Sequence, residues 1–397
     1  MKTSSTSMTP SNPSQFPGRQ KLEAWGLSRC PMDQLSRLEP NIEALSASFT
    51  ANRPAHFSVY LDDAASLTAY ALCFAPQTYA RVYEALRGIF NRLPAFPNRP
   101  LRVLDLGSGI GSAALAAYDF LQEQTQCAPQ ITCVDWSNNA LQTVKELIPT
   151  AHCHHADLRT YQPAAQYDII LSSFAFNEAF PAQQDALAAL RTYHQALTED
   201  APSFILLLEP ADRTSVPKLH ALRSFLPELP VYAPCPHGLS CPMIATQDGV
   251  CHDVRRFRPE RAMTLLCRHL RGTVSDVKYA LLAFGRQKGP QAVGFNDPEF
   301  LRLVGPFNKS KGLLTCRVCM GDGRLKRLEI PAAALDTDRR HALLERERGD
   351  CAWLDGALEL RKQLNNGTIQ RTADLRFTDE AEVELADALD DDFSFSI

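Results

Sequence analysis

The chain reads as an α/β protein: a doubly wound, Rossmann-like sheet with a helical N-terminal cap and a cysteine-rich insertion. Three observations predict this. Apolar runs of strand length alternate with segments of helix length between residues 101 and 210. The first run, 101–106, enters a turn with Gly107, Gly109 and Gly111 at alternate positions, and 112–120 then reads as the start of a helix. Glycines let the backbone turn tightly and approach a ligand, and the helix N-terminus behind them favours negative charge. Finally, Cys235, Cys241 and Cys251 follow the fifth apolar run, in a stretch broken by proline and glycine.

Taken in order, residues 1–20 are rich in Ser, Thr and Pro and are expected to be disordered. Residues 21–98 form the helical cap. Its clearest piece is 75–93, where Tyr79, Val82, Leu86 and Ile89/Phe90 recur at helical spacing before Pro94 and Pro97 stop it. The ligand-binding core spans 99–230, with strands at 101–106, 131–135, 151–157, 167–173 and 204–210 and helices near 181–198 and 216–226. The cysteine-rich insertion occupies 231–274. Residues 275–332 supply the final strands of the core, at 278–284 and 313–319, the latter turned back by Met320-Gly321-Asp322-Gly323 into 324–330. A helical segment and an acidic tail fill 333–397.

The chain has 397 residues with a net charge of −4, so it is not a wholly basic nucleic-acid binder. No apolar run approaches membrane-span length, and no signal-peptide pattern opens the sequence. Twelve irregularly spread cysteines without an export signal point to a reducing compartment and a metal or cluster site, rather than a disulfide framework.

The acid of the glycine motif, Asp105, stands at the end of its strand rather than about twenty residues on, as a dinucleotide fingerprint has it. This D-x-G-x-G-x-G form resembles motif I of class I S-adenosylmethionine (SAM) methyltransferases. Asp135, at the end of the second strand, is placed to accept hydrogen bonds from a ribose diol. In the SAM-binding fold an acid at the position of Asp157 lies near the adenine amine. After the fourth strand the chain has neither the Asn/Asp-Pro-Pro-aromatic stretch of exocyclic-amine methylation nor the cysteine of RNA cytosine-C5 methylation; Ser172 and Ser173 stand there instead. Asn177 and Glu178 either orient a substrate or serve as a helix cap and a solvated acid. No residue is assigned as catalytic.

Cys316 and Cys319 are three apart on a strand and face opposite sides, so only one joins the upstream trio. Cys319 is the choice and Cys316 the alternative. Four thiolates suit structural zinc or an iron–sulfur cluster. His237 and His252 are alternative ligands, or groups beside the site. Arg255, Arg256, Arg258, Arg261, Arg268 and Arg271 crowd one segment, and Lys309, Lys311, Arg324, Lys326 and Arg327 flank the final hairpin. Such a basic face suits an RNA backbone. Opposite in sign is the tail, with Asp379, Glu380, Glu382, Glu384, Asp387 and Asp390 to Asp392.

The combined pattern resembles the mitochondrial small-ribosomal-subunit methyltransferase-like family and its bacterial relatives. The stretches that carry it are PQTYA at 76–80, LDLGSGIGSAALAA, Ser172 to Glu178, Leu208-Glu209-Pro210, APCPHGLSC, VCHD and CRVCMGDGRLKR, within residues 70–330. The resemblance implies a SAM-binding domain whose inserted cysteines hold a [4Fe–4S] cluster, in a monomer associated with the small ribosomal subunit and its rRNA that acts in ribosome assembly and translation. Cluster ligands would be Cys235, Cys241, Cys251 and Cys319; SAM contacts would be Asp105, Gly107, Gly109, Gly111 and Asp135. The location would be the mitochondrial matrix in a eukaryote and the cytoplasm in a bacterium. The rival readings are an active methyltransferase of rRNA or ribosomal protein, and a small-molecule methyltransferase with structural zinc.

Overall fold

The computed structural model describes residues 16–50, 61, 63–199, 202–227, 229–246, 250–270, 274–286, 291–354, 359–364, 367–371 and 375–379. In chain order the helices and strands begin α1 (Pro17–Arg29), α2 (Glu39–Thr50), α3 (Ala64–Cys73), α4 (Ala75–Phe90), β1 (Arg102–Leu106), α5 (Ser112–Thr125), β2 (Gln130–Asp135), α6 (Asn138–Leu147), β3 (His152–His155) and β4 (Ile169–Ser173). They continue α7 (Phe176–Ala179), α8 (Gln183–Gln195), β5 (Phe204–Glu209), α9 (Ser215–Phe225), β6 (Val231–Ala233), α10 (Pro242–Thr246), β7 (Asp253–Arg256), α11 (Arg261–Leu270) and β8 (Asp276–Gly285). Last come β9 (Phe300–Leu303), β10 (Asn308–Ser310), β11 (Leu313–Met320), β12 (Leu325–Pro331), α12 (Thr337–Glu345), β13 (Cys351–Leu354), β14 (Glu359–Leu364), β15 (Gly367–Arg371) and β16 (Leu375–Phe377).

The chain divides into two compact units. One takes residues up to 86, 97–198 and 255–277; the other takes 87–96, 199–254 and 278 onward. In the first, β1 pairs in parallel with β2 and β4, and β2 with β3, giving the order β3-β2-β1-β4. The β1–β2 register sets Asp105 opposite Cys133, two residues before the glycine turn begins at Gly107. β1, β2 and β4 are largely buried, as strands of a doubly wound sheet are, whereas β3 at the edge is His-Cys-His-His and largely exposed. The first unit carries a doubly wound, Rossmann-like sheet.

The cap is helical as the periodicity requires: Tyr79, Val82, Leu86 and Ile89 of α4 are buried. Its start differs from expectation. Residues 17–20 are helical rather than disordered: Pro17 opens α1, where its missing N–H costs nothing. Phe16 anchors that turn edge-on to Tyr79 and Tyr83, at ring separations of 6.1 and 5.0 Å. The expectation of disorder for residues 1–15 lies outside the described residues. Further along α1, Trp25 Nε1 donates to Glu146 of α6 at 2.8 Å.

The insertion is not one body. Residues 231–254 belong to the second unit, whereas 255–277 belong to the first. There Phe257, Ala262, Met263, Leu266 and Cys267 complete the cap core with Leu35, Ile42 and Leu72. The amphipathic α11 buries its apolar stripe in that core, which the crowding of arginines in the sequence conceals. Arg255 is itself buried, 3.8 Å from Glu84.

In the second unit β8 runs antiparallel to both β5 and β6. The hairpin β11–β12 does not extend those strands, as expected of 275–332. Among the described residues it belongs to a second sheet of eight strands, ordered β14-β15-β12-β11-β9-β13-β16 with β10 on β11. The reason is alternation: Leu314, Cys316, Val318 and Met320 of β11 face a core shared with Leu301, Leu328, Ile330, Ala352 and Phe377. Among its described residues the expected C-terminal helical segment holds one α-helix, α12, and the four strands β13 to β16. Of the acidic tail, Asp379 pairs with Arg346 at 2.6 Å, and 380–397 lie outside the described residues.

Leu72 is 1% exposed and fills the notch left by Gly26, where an added Cβ would meet it at 2.4 Å. Replacing Leu72 by Ala is expected to destabilise the cap by about 2–5 kcal/mol, read as a lower urea midpoint in circular dichroism.

Candidate functional site

Two sites are built, one in each unit. In the first, β1 delivers Asp105 to a turn in which Gly107, Gly109 and Gly111 all have positive φ, at 72°, 52° and 84°. Only glycine adopts such angles without cost. The amides of Gly107 and Ser108 donate to Val134 O at 2.8 and 3.1 Å, pinning the loop to β2. Asp135 ties it further: its carboxylate accepts from Gly109 N at 2.8 Å and Ser137 N at 2.9 Å. The residue predicted to meet a ribose thus also fixes the loop's shape. A Cβ built on Gly109 meets nothing within 4 Å, so the loop opens onto free space at that point.

Several polar atoms around this cradle lack protein partners among the described residues: Asp105 Oδ1, Ser108 Oγ, Ser112 Oγ and Ser173 Oγ are buried without a hydrogen bond. Buried polar groups are rarely left so, and a nucleoside ligand rich in hydroxyls and amines fits that donor and acceptor set. Ser172 is used structurally, donating to Leu106 O at 2.9 Å. Asp157 is gripped by Arg159, whose Nε lies 2.9 Å from Oδ2, and this holds its carboxyl below the usual range. Asn177 and Glu178 lie on the short α7, with Glu178 exposed. Missed from the sequence were Trp136, which follows Asp135 and leaves 41% of its surface exposed, and Phe174, held at φ 62° with Arg81 over its ring at 5.2 Å. Tyr70 belongs here too: burial pushes its hydroxyl up to about 12, while Thr78 and Arg81 act against the rise.

In the second unit the cysteine-rich segment is held by its backbone. Asn296 N donates to Pro236 O at 2.8 Å, and Gly238 N to Asn296 Oδ1 at 3.0 Å. Cys251 and Cys319 pack in one buried cluster with Met243 and Val304, and Cys241 packs against it. The thiols sense one another. Burial pushes Cys319 far above its usual range, and Cys235, Cys251 and Cys241 push it further. Burial takes Cys235 up to about 12, with Arg223 opposing and Cys251 and Cys241 adding to the rise. Thus Cys235, Cys241, Cys251 and Cys319 come together. Cys316 points to the opposite face, its Sγ 3.0 Å from Gly305 O. No group of three or more His, Cys, Asp or Glu side chains among the described residues stands ready to hold a metal ion. Two of the sulfurs, Cys251 and Cys319, share a packed cluster, with Cys241 against it, rather than a closed coordination shell.

His237 sits beside this cluster, its Nε2 3.4 Å from Cys319 Sγ. Burial and Arg223 lower its pKa to about 4, so it is neutral at pH 7. The Arg223 guanidinium, a donor only, faces Nδ1 at 3.4 Å. His252 turns to the backbone instead, Nδ1 lying 3.0 Å from Val250 O.

Residues 64–337, more than half of the chain, match the family described as mitochondrial small ribosomal subunit Rsm22. The chain belongs to this family. It is also similar to the human protein named ribosome assembly protein METTL17, mitochondrial, at 23% identity over 283 residues. That match takes in 66% of this chain, and the chain spans 56% of that relative's length. Among solved structures it is similar to the plantazolicin methyltransferase BpumL in complex with SAH, at 14% identity over 64% of this chain and 98% of that one, with a TM-score of 0.32. It is also similar to the putative RNA methyltransferase PH1948 of Pyrococcus horikoshii, at 12% identity over the same shares and a TM-score of 0.33.

The family match takes in both the glycine motif and all four cysteines, but sequence reading passed over the cations around the thiols. Arg302 of β9 is 2% exposed and paired with Asp253. Burial alone would pull its pKa down; Asp253 and the thiols of Cys251, Cys351 and Cys235 more than offset that. Arg92 is equally buried and donates to Tyr232 O at 2.9 Å. An isolated arginine in a sequence carries no signal of burial, since its usual place is the surface.

Asp105 makes the cradle pH-sensitive. It is 0% exposed; burial pushes its carboxyl up to about 8, although Ala114 N donates to it. The folded pKa lies above the unfolded value of about 3.9. The folded state therefore holds a proton that the unfolded chain releases. The stability this contributes is complete below about pH 4 and lost as pH rises to about 8. Wild type is expected to lose stability relative to Asp105→Asn as pH rises from about 4 to about 8, in urea unfolding of the ligand-free proteins measured at successive pH values.

Proposed function

We propose that this chain is a SAM-binding, methyltransferase-like factor of the small ribosomal subunit that acts in its assembly and carries a [4Fe–4S] cluster. The observation that carries this reading is the approach of Cys235, Cys241, Cys251 and Cys319 to one another: Cys251 and Cys319 share a buried cluster, Cys241 packs against it, and the Cys235 thiol acts on that of Cys319. Family membership supplies the ribosomal context, and the unpartnered polar atoms of the glycine cradle supply the nucleoside one.

In this reading the four cysteines are the cluster ligands. Thiolates are the ligands such clusters use, and the buried cations beside them suit a group of net negative charge. When bound, the cluster would tie the ligand segments together and could carry an electron. At the cradle, Gly107, Gly109 and Gly111 admit the backbone close to SAM. Asp105 faces its charged end, Asp135 its ribose and Asp157 its adenine. Trp136 offers an apolar face beside Asp135. The partner is small-subunit rRNA, met through exposed cations such as Arg256 and Arg258 on one unit and Lys309, Lys311, Arg324 and Arg327 on the other. The protein acts as a monomer, in the mitochondrial matrix if the host is a eukaryote and the cytoplasm if it is a bacterium. No helix among the described residues is long and apolar enough to cross a membrane.

Anaerobically purified protein is expected to hold near-stoichiometric iron and acid-labile sulfide, both lost on Cys235→Ser. Zinc without sulfide would instead favour the small-molecule methyltransferase with a structural staple. A second measurement addresses the partner. The full chain should co-sediment with small-subunit particles at low salt and be released as salt rises, because phosphate contacts weaken through counterion release. Failure to co-sediment at low salt would remove the ribosomal role.

A further inference from the structure

The strongest unexplained feature outside the assigned residues is a pair of buried cations with spare hydrogen-bond donors. Register places Arg302 directly across from Cys319 on β11 and across from Cys351 on β13. Residues opposite one another in antiparallel strands share a face. The guanidinium therefore lies on the cysteine face of the second sheet, between two sulfurs. Its Nη2 pairs with Asp253, two residues after Cys251. Its Nε and Nη1 are buried and have no hydrogen-bond partner among the described residues. Arg92 repeats the pattern. Its Nε lies 3.3 Å from Val293 O and its Nη1 donates to Tyr232 O, three residues before Cys235, while its Nη2 is buried without a partner.

Guanidinium is a donor only, and a buried donor left unmade costs free energy. A single carboxylate, Asp253, does not use up two buried arginines. What is missing is an acceptor that is anionic, compact and able to take several N–H groups. A thiolate-ligated cluster has that character, since its sulfurs accept hydrogen bonds and its net charge is negative.

We propose that Arg302, assisted by Arg92, is a positioning residue that directs N–H groups at the sulfurs of the cluster and holds its reduction potential up. This rests on the cluster reading of the four cysteines. The sign follows from charge: reduction adds a negative charge, which a fixed cation and N–H donors stabilise. Asp253 acts in the opposite sense, partly neutralising Arg302. The pair sets the potential by its difference.

The full chain is prepared anaerobically as wild type, Arg302→Met, Arg302→Lys and Asp253→Asn. Iron and sulfide per chain are assayed, and midpoint potentials are read by spectroelectrochemistry. Arg302→Met is expected to lower the midpoint by a shift equivalent to roughly tenfold in the oxidised-to-reduced ratio, ~59 mV for one electron. Arg302→Lys, which keeps the charge and loses the fork, should fall part of that way, and Asp253→Asn should move it upward. Should Arg302→Met fail to fold, the opposite signs of the Lys and Asn variants carry the test, because general loosening of the site would move both the same way. Loaded variants with the wild-type midpoint, or shifts of one sign in both, overturn the inference and leave the cluster reading standing. Wild-type protein without iron and sulfide overturns both.

Discussion

Burying a guanidinium is the costliest decision in the second unit. An arginine taken out of water loses several kcal/mol of solvation unless a charge repays it, and Arg302 is almost entirely buried. Asp253 repays part, and it is positioned by the chain that carries Cys251. Gly349 is compelled by the same pair: a Cβ there would meet the Asp253 carboxylate at 2.4 Å. Around this pair the thiols and His237 are ordered, each by burial and by the neighbours that burial imposes. A cation, an acid and three buried thiols, with a fourth half-buried beside them, are a poor choice for stability alone. They are a good choice for holding a charged group.

The first unit solves a different problem with the same economy. Its cradle must leave backbone amides and carboxylates open to a ligand and yet keep one shape without it. Asp135 does this by spending both oxygens on the loop and the helix behind it. Asp105 cannot be solvated where it stands, so it keeps a proton. A positively charged ligand placed against it would favour the ionised carboxylate and draw the pKa back down. Binding and proton release are then linked at this residue.

The strand–glycine–helix core was legible because its signals are local. Each apolar run, turn and carboxylate lies within a few residues of the next. The cap was legible from the 3.6-residue recurrence in α4. What failed to show were features set by distant partners. Pro17 reads as part of a polar tail until Phe16 is seen against Tyr79 and Tyr83. The arginine-rich stretch reads as a basic surface until α11 is seen to close the cap core, and β11 with β12 reads as the end of one sheet until its even-numbered residues meet the core of another.

By itself, the sequence determined the doubly wound fold of the first unit, the glycine cradle and the separation of Cys316 from Cys319, since two-residue alternation along a strand needs no partner to be known. Tertiary structure alone decided that the segment after Cys251 splits between two units, that a second sheet carries Cys319, and that Arg302, Asp253 and Arg92 surround the thiols. Those depend on which surfaces are buried together, and burial of a polar side chain is a property of its neighbours in space rather than of its neighbours along the chain.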